Sequence, residues 1–311
     1  MRNNRLRDMS NGSLAAIGIA LALGVLVAMV SVPASAVVVN FPDPGLEAAI
    51  REAIREPTGD IHDTDLIGLT LLKADHRGVV NLEGIQYCVD LTELRLHWNQ
   101  VVDISALSSL TKLIYLELGN NQIVDISALS GLTSLTHLYL YGNQIVDISV
   151  LSGLTNLIRL YLWENEIVDI STLSGLLNLT ELALNENEIV DISALAGLPN
   201  LTRFWLFANQ VVDISALSGL TKLMYLGLGN NRIVDISALS SLAKLTHLYL
   251  YGNQIVDIAP LSGLTNLPRL YLYSNQIVDI APLSGLTNLT SLYLYSNQIV
   301  DIAPLSGLTN L

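Results

Sequence analysis

The side chains that could do covalent chemistry are few and scattered. The five histidines are spread along the chain, and His137 and His247 each stand two residues before a tyrosine with no cysteine or serine partner. They read as contact residues, not as members of a nucleophilic pair. There is no G-x-S-x-G, no H-E-x-x-H and no phosphate-loop glycine motif. The single cysteine, Cys88, can form neither an internal disulfide nor a zinc cluster, and within Ile85-Gln86-Tyr87-Cys88-Val89 it reads as a small buried apolar residue. Glu164, Glu166, Glu186 and Glu188 read as a solvated rim, because nothing in the pattern buries them to shift a pKa. The ten aspartates from Asp103 to Asp301 are the one regular set of carboxylates. Stacked at about 4.8 Å they could form a calcium ladder, but capping the turn that follows each one needs only backbone donors and is the preferred reading. No catalytic residue, metal site or cofactor emerges.

Recognition chemistry is better represented. Eleven of the twelve tyrosines stand six, four or two residues before a recurring asparagine: Tyr115, Tyr139, Tyr141, Tyr161, Tyr225, Tyr249, Tyr251, Tyr271, Tyr273, Tyr293 and Tyr295. Trp163, Trp205 and Phe207 occupy the same positions, so 14 of the 18 aromatic residues share them, together with Arg95, Arg159, Arg203 and Arg269. Aromatic ladders suit strands by themselves, at a few tenths to about 1 kcal/mol per pair. The accompanying arginines favour a binding role, since Tyr, Trp and Arg dominate interface hot spots. Residues 111–165 also match residues 221–275 at 44 of 55 positions, an offset of five repeats. That duplication predicts two similar patches about 24 Å apart at about 4.8 Å per strand, which a repetitive or dimeric ligand could use together.

The elements that position these residues follow from the asparagines themselves. Asn99, Asn121, Asn143, Asn165, Asn187, Asn209, Asn231, Asn253, Asn275 and Asn297 recur at an unbroken spacing of 22 inside the string LxxLxLxxN. In Leu138-Tyr139-Leu140-Tyr141 the alternation is that of a strand with one buried face, and stacking by 22 residues makes the strands parallel. The asparagine carboxamide, donor and acceptor in one, can satisfy backbone groups of the turn that leaves the sheet. In the return half, Ile145, Ile148, Leu151 and Leu154 face inward, and the variants Ala259-Pro260, Ala281-Pro282 and Ala303-Pro304 suit a short helical turn on the convex side.

The 22-residue unit, its NQIVDISALSGLTNL-like returns and the segment before the repeats resemble the internalin-type bacterial leucine-rich repeat family. The resemblance covers residues 37–311 and implies an α/β repeat solenoid: a leucine-rich repeat horseshoe with a parallel β-sheet on its concave face, short helical turns on its convex face and an N-terminal helical cap. The cap is assigned to residues 37–68. Asp43 and Pro44 start a helix whose Leu46, Ala49, Ile50, Ala53 and Ile54 share a face and which Pro57 ends, and a second helical stretch covers Asp63 to Gly68. Repeats fill residues 69–311, one degenerate turn with Arg77 in the asparagine slot and then ten regular ones. No polar capping turn follows Leu311, which aligns with Leu289, so the chain reads as cut short, with end-to-end dimerisation as the alternative.

Composition agrees. The chain is 51% hydrophobic and 14% charged with a net charge of −13, which excludes a disordered tail and a nucleic-acid reader. Arg2, Arg5 and Arg7 precede an uncharged run from Leu14 to Val30 and a small-residue site at Ala34-Ser35-Ala36, so residues 1–36 read as a cleaved secretory signal in preference to an uncleaved anchor. No other stretch is apolar enough to span a bilayer. The function expected is non-enzymatic recognition of a protein at the bacterial surface or outside it, for which the internalin resemblance implies adhesion or host interaction. Glycan binding by ring stacking and a passive surface spacer are the alternatives.

Overall fold

A computed structural model describes residues 36–311, and the signal-peptide reading falls outside the described residues. Eleven three-residue strands form one parallel sheet in sequence order: β1 (Leu71–Lys73), β2 (Glu93–Arg95), β3 (Tyr115–Glu117), β4 (His137–Tyr139), β5 (Arg159–Tyr161), β6 (Glu181–Ala183), β7 (Arg203–Trp205), β8 (Tyr225–Gly227), β9 (His247–Tyr249), β10 (Arg269–Tyr271) and β11 (Ser291–Tyr293). Each residue pairs with the one 22 positions on, as in His137 with Arg159 and Tyr139 with Tyr161. The return half of each repeat carries a short 3₁₀ turn, such as Ser149–Gly153. This is the leucine-rich repeat horseshoe the period implies.

One continuous apolar core runs the length of the sheet. In the fourth repeat Leu135, Leu138, Leu140, Ile145, Ile148, Leu151 and Leu154 are all at most 1% exposed, and the same positions recur along the chain. Each such side chain stabilises the fold by about 1.5–3 kcal/mol relative to exposure. Cys88 lies within this core, and burial pushes its thiol up to about 12.

Inside the turn the polar groups are satisfied by a column of buried amides. Asn143 Oδ1 accepts the Ile123 N–H at 3.0 Å, while its Nδ2 donates to Leu118 O at 3.0 Å and Leu140 O at 2.9 Å. One side chain thus holds its own turn and the preceding one, where sheet pairing has ended and water is excluded. The residue before each asparagine takes the left-handed conformation, with φ of 52° at Glu164 and 62° at Gly142, which turns the chain out of the strand. A second, exposed column before the strands only donates, one bond to the preceding repeat: Asn156 Nδ2 to Thr133 O and Asn178 Nδ2 to Thr155 O, both at 2.9 Å. The ten convex aspartates each accept the N–H two residues on; for Asp147 this is Ser149 N–H at 2.8 Å. They sit one residue before the N-cap position, so they brace the turn from just outside it.

At the N-terminal end, helix α1 (Pro44–Ile54) lies over the first repeat, followed by a 3₁₀ turn at Asp63–Leu66. Asp43 starts the helix by accepting from Leu46 N–H, and its other oxygen accepts from Val80 and Asn81 N–H groups, tying helix to repeat. Burial raises the Asp43 pKa, but the donated N–H groups outweigh it and the net shift is downward. The buried stripe is Leu46, Ala49 and Ile50, with Ile54 half-buried. Ala53, expected on the same face, is exposed at its edge, while Ile54 beside it still packs against the core and Arg55, at φ 63°, ends the helix. In the degenerate turn Arg77 donates its backbone N–H to Asn99 Oδ1 and pairs through its guanidinium with Glu52 of the helix.

Asn165→Ala would strand Ile145 N–H and remove one of the two amide donors at Leu140 O and at Leu162 O, which keep Asn143 and Asn187 respectively. We expect a loss of about 3 kcal/mol in urea unfolding. The exposed neighbour Gln144→Ala should change stability by less than about 0.5 kcal/mol.

Candidate functional site

Because every strand is in register with the next, the positions six, four and two before the asparagines become three rows of side chains across the concave face. The four row begins Arg95, Glu117, Tyr139, Tyr161 and Ala183, then continues Trp205, Gly227, Tyr249, Tyr271 and Tyr293. The two row carries Tyr141, Trp163, Phe207, Tyr251, Tyr273 and Tyr295, and the six row Tyr115, His137, Arg159, Arg203, Tyr225, His247 and Arg269. The structure therefore brings all the expected contact residues onto one surface. Most are half-buried, while Arg203, Arg269, Tyr293 and Tyr295 are exposed.

The rings stack on one another. Tyr141 and Trp163 are 4.5 Å apart at 3°, Tyr251 and Tyr273 4.6 Å at 3°, Tyr273 and Tyr295 4.5 Å at 11°. Tyr249, Tyr271 and Tyr293 form a second stack with centroids at 4.5 and 4.7 Å. Small residues let rings bridge gaps: Tyr161 reaches Trp205 across Ala183 at 6.0 Å, and Phe207 lies parallel to Tyr251 at 5.8 Å across Gly229. A Cβ on Gly119, Gly227 or Gly229 would strike the ring of Tyr141, Phe207 or Tyr251 respectively, so these glycines serve close approach. Since the faces of most rings are spent on each other, what the surface presents is ring edges, hydroxyls and guanidinium groups. Sugar stacking, which needs free ring faces, loses its geometric basis here.

Carboxylates organise the N-terminal half of the face. Glu117 accepts the hydroxyls of Tyr115 at 3.0 Å and Tyr141 at 3.3 Å. Glu181, only 8% exposed, accepts the Tyr161 hydroxyl at 2.8 Å and lies 3.4 Å from both Arg159 and Arg203. Arg95 pairs with Glu93 at 2.6 Å and sits 5.0 Å over the Tyr115 ring. These acids were not among the expected contact residues, although Glu117 and Glu181 occupy the same four and six positions as the aromatics. At the N-terminal edge Trp98 stacks on His76, and His97 Nδ1 lies 2.7 Å from Asp75 Oδ1, off the line of a good hydrogen bond. Trp98 escapes the periodic pattern because it stands one residue before Asn99. Burial, and then Glu186 beside it, raises the Glu164 pKa, so that part of the acidic rim is not fully solvated.

The comparisons agree with this geometry. The leucine-rich repeat family models match residues 89–145 and 209–255, and the two-copy model matches 133–175, 177–219, 243–285 and 265–310. The fold and its columns define a leucine-rich repeat solenoid. More narrowly, the chain belongs to the internalin-type leucine-rich repeat proteins. It is 36% identical to an internalin (inlF) of Listeria monocytogenes, covering 87% of this chain and 94% of that one, with a TM-score of 0.73. It is 35% identical to internalin C2 (inlC2) of the same organism, covering 82% and 94%, with a TM-score of 0.51. The ectodomain of the Arabidopsis thaliana receptor kinase GASSHO1/SCHENGEN3, solved in complex with CASPARIAN STRIP INTEGRITY FACTOR 2, shares the fold at 24% identity, covering 73% and 32%, with a TM-score of 0.59. No curated protein sequence matches the chain.

Burial, with Glu117 next in weight, pushes Tyr141 up to about 12; burial and the Tyr225 hydroxyl do the same for Tyr249. A group whose pKa is raised on folding binds its proton more tightly in the native state, so the stability it contributes is complete below the unfolded value of about 10 and fades as pH rises towards 12. In a spectrophotometric titration these tyrosines should ionise later than free tyrosine, and the urea midpoint should fall above pH ~10. Titration of every tyrosine at the free value would contradict the packed network.

Proposed function

We propose that the chain is an exported, non-enzymatic recognition module that grips a protein partner with its concave face, in adhesion or another host or surface interaction. The observation that carries the reading is the continuous slab of aromatic edges, hydroxyls and arginines on the sheet face that the core does not use. Aromatic packing alone would explain the stacks but not the arginines set among them. Such a surface, about 48 Å long at about 4.8 Å per strand, is large enough for the roughly 800 Å² per partner of a standard interface.

Family membership supports the same conclusion, and the plant receptor ectodomain is an instance of this fold solved with a ligand. Export rests on reading residues 1–36 as a secretory signal; residues 37–68 then form the cap and 69–311 the binding solenoid. Among the described residues no helix is long and apolar enough to cross a membrane.

Immobilised protein should capture a discrete species from cell-surface material. Tyr139→Ala combined with Trp205→Ala should weaken that capture about 30-fold, the equivalent of a 2 kcal/mol hot spot. Val146→Ala, on the convex side and 50% exposed, should leave it intact. Protease treatment of the material should abolish capture, and glycosidase treatment should not. Equal capture by all variants would fit a passive spacer and sink the proposal.

A further inference from the structure

The two halves of the concave face are related copies in which both carboxylates of the first have been lost from the second. Residues 111–165 match residues 221–275 at 44 of 55 positions, and the pairing of Arg159 with Glu181 on β5 and β6 recurs as Arg269 with Ser291 on β10 and β11. In the first copy the carboxylates are built in. Glu117 holds two tyrosine hydroxyls, and Glu181 bridges Tyr161, Arg159 and Arg203. Five repeats later, Glu117 is replaced by Gly227 and Glu181 by Ser291.

The two replacements have different outcomes. The ring of Phe207 folds over Gly227 and fills that place. Ser291, half-buried, offers only a hydroxyl where Glu181 offers a carboxylate. Arg269, exposed, has no carboxylate within ion-pair distance among the described residues, and its guanidinium lies 3.3 Å from His247 Nε2. Charge is segregated in the same sense. From residue 201 onward the only acids are Asp213, Asp235, Asp257, Asp279 and Asp301, all in the convex column, so the C-terminal half of the concave face carries cations and no anion.

We infer that the place beside Ser291 is a carboxylate-binding subsite, filled by an acidic side chain of the protein partner. The incoming carboxylate pairs with Arg269 and accepts from the Tyr271 hydroxyl, as Glu181 does with Arg159 and Tyr161. The first copy shows how Arg159 and Tyr161 hold a planar, two-oxygen anion at this place, with Arg203 as a third contact that the second copy does not share and Ala183 where the second copy has Tyr293. Arg269 is exposed and has no carboxylate partner in the free protein, so an incoming carboxylate breaks no ion pair and gains one on binding. The subsite rests on the concave-face reading above and names what one part of that face recognises.

The test is NMR titration of the whole chain, following the Arg269 side-chain Nε–Hε resonance, with a hexaglutamate peptide, with hexalysine and with inorganic phosphate as separate probes. Hexaglutamate should shift the resonance saturably; hexalysine should not, and phosphate should do so only weakly. Ser291→Glu should supply the carboxylate internally, moving the resonance without peptide, weakening hexaglutamate binding at least about tenfold and raising Tm, and the gain in Tm should vanish in the Arg269→Gln background. No shift with hexaglutamate, an equal shift with phosphate, or a Ser291→Glu chain that still binds the peptide as well as the parent would overturn the subsite. Loss of the subsite with surface capture still dependent on Tyr139 and Trp205 would leave the concave-face reading standing, whereas loss of that dependence would remove the reading itself.

Discussion

The structure depends on one constraint: a turn repeated ten times in a water-free interior must have its backbone groups satisfied at every repeat. The buried asparagines meet it. Each one takes an N–H from the preceding repeat's return segment and gives to carbonyls of two successive turns, as Asn165 does with Ile145, Leu140 and Leu162. An unpaired buried donor or acceptor costs about 1–3 kcal/mol, so insertion or deletion of a residue between two asparagines would be penalised at several groups together. This fixes the period at 22, and the fixed period makes every strand pair in register with the next.

Register has a consequence for the surface. Side chains at equal positions of adjacent repeats stand one strand spacing apart, which is close to the separation at which flat rings stack. Tyrosines placed at the same position in three successive repeats therefore form parallel stacks, seen in Tyr249, Tyr271 and Tyr293. Where a repeat carries a glycine or alanine instead, a neighbouring ring leans across, so the aromatic surface stays continuous from β3 to β11. The overall acidity of the chain lies mostly in the convex aspartates and the N-terminal part; on the concave face it is confined to carboxylates such as Glu93, Glu117 and Glu181 in the N-terminal half.

The architecture was legible in the sequence because periodicity of 22, strand alternation and the asparagine column are local patterns repeated many times. Membership of the concave face was legible for the same reason: position relative to the asparagine determines which way Tyr139 or Arg269 points. What that reasoning missed was interaction between repeats. The bridging role of Glu181 depends on Tyr161 and on arginines 22 residues to either side, and no single repeat contains the arrangement. The orientation of the rings, which turns their faces toward each other and away from a sugar, depends on side-chain torsions that position alone leaves open. The second column at Asn156 and Asn178 was present in the sequence at the same spacing, but the stronger LxxLxLxxN signal masked it. Ala53 went the other way: helical periodicity put it on the buried face, but the core at the end of the helix reaches only Ile54.

The central claim is that a protein partner sits on the concave face. A photo-reactive amino acid placed at position 139 and, separately, at the convex position 146 tests it most directly, by irradiation in the presence of cell-surface material and mass analysis of the adducts. The account predicts a discrete protein adduct from position 139 and none from position 146. Adducts of the same yield from both positions, or from the convex position alone, would contradict it.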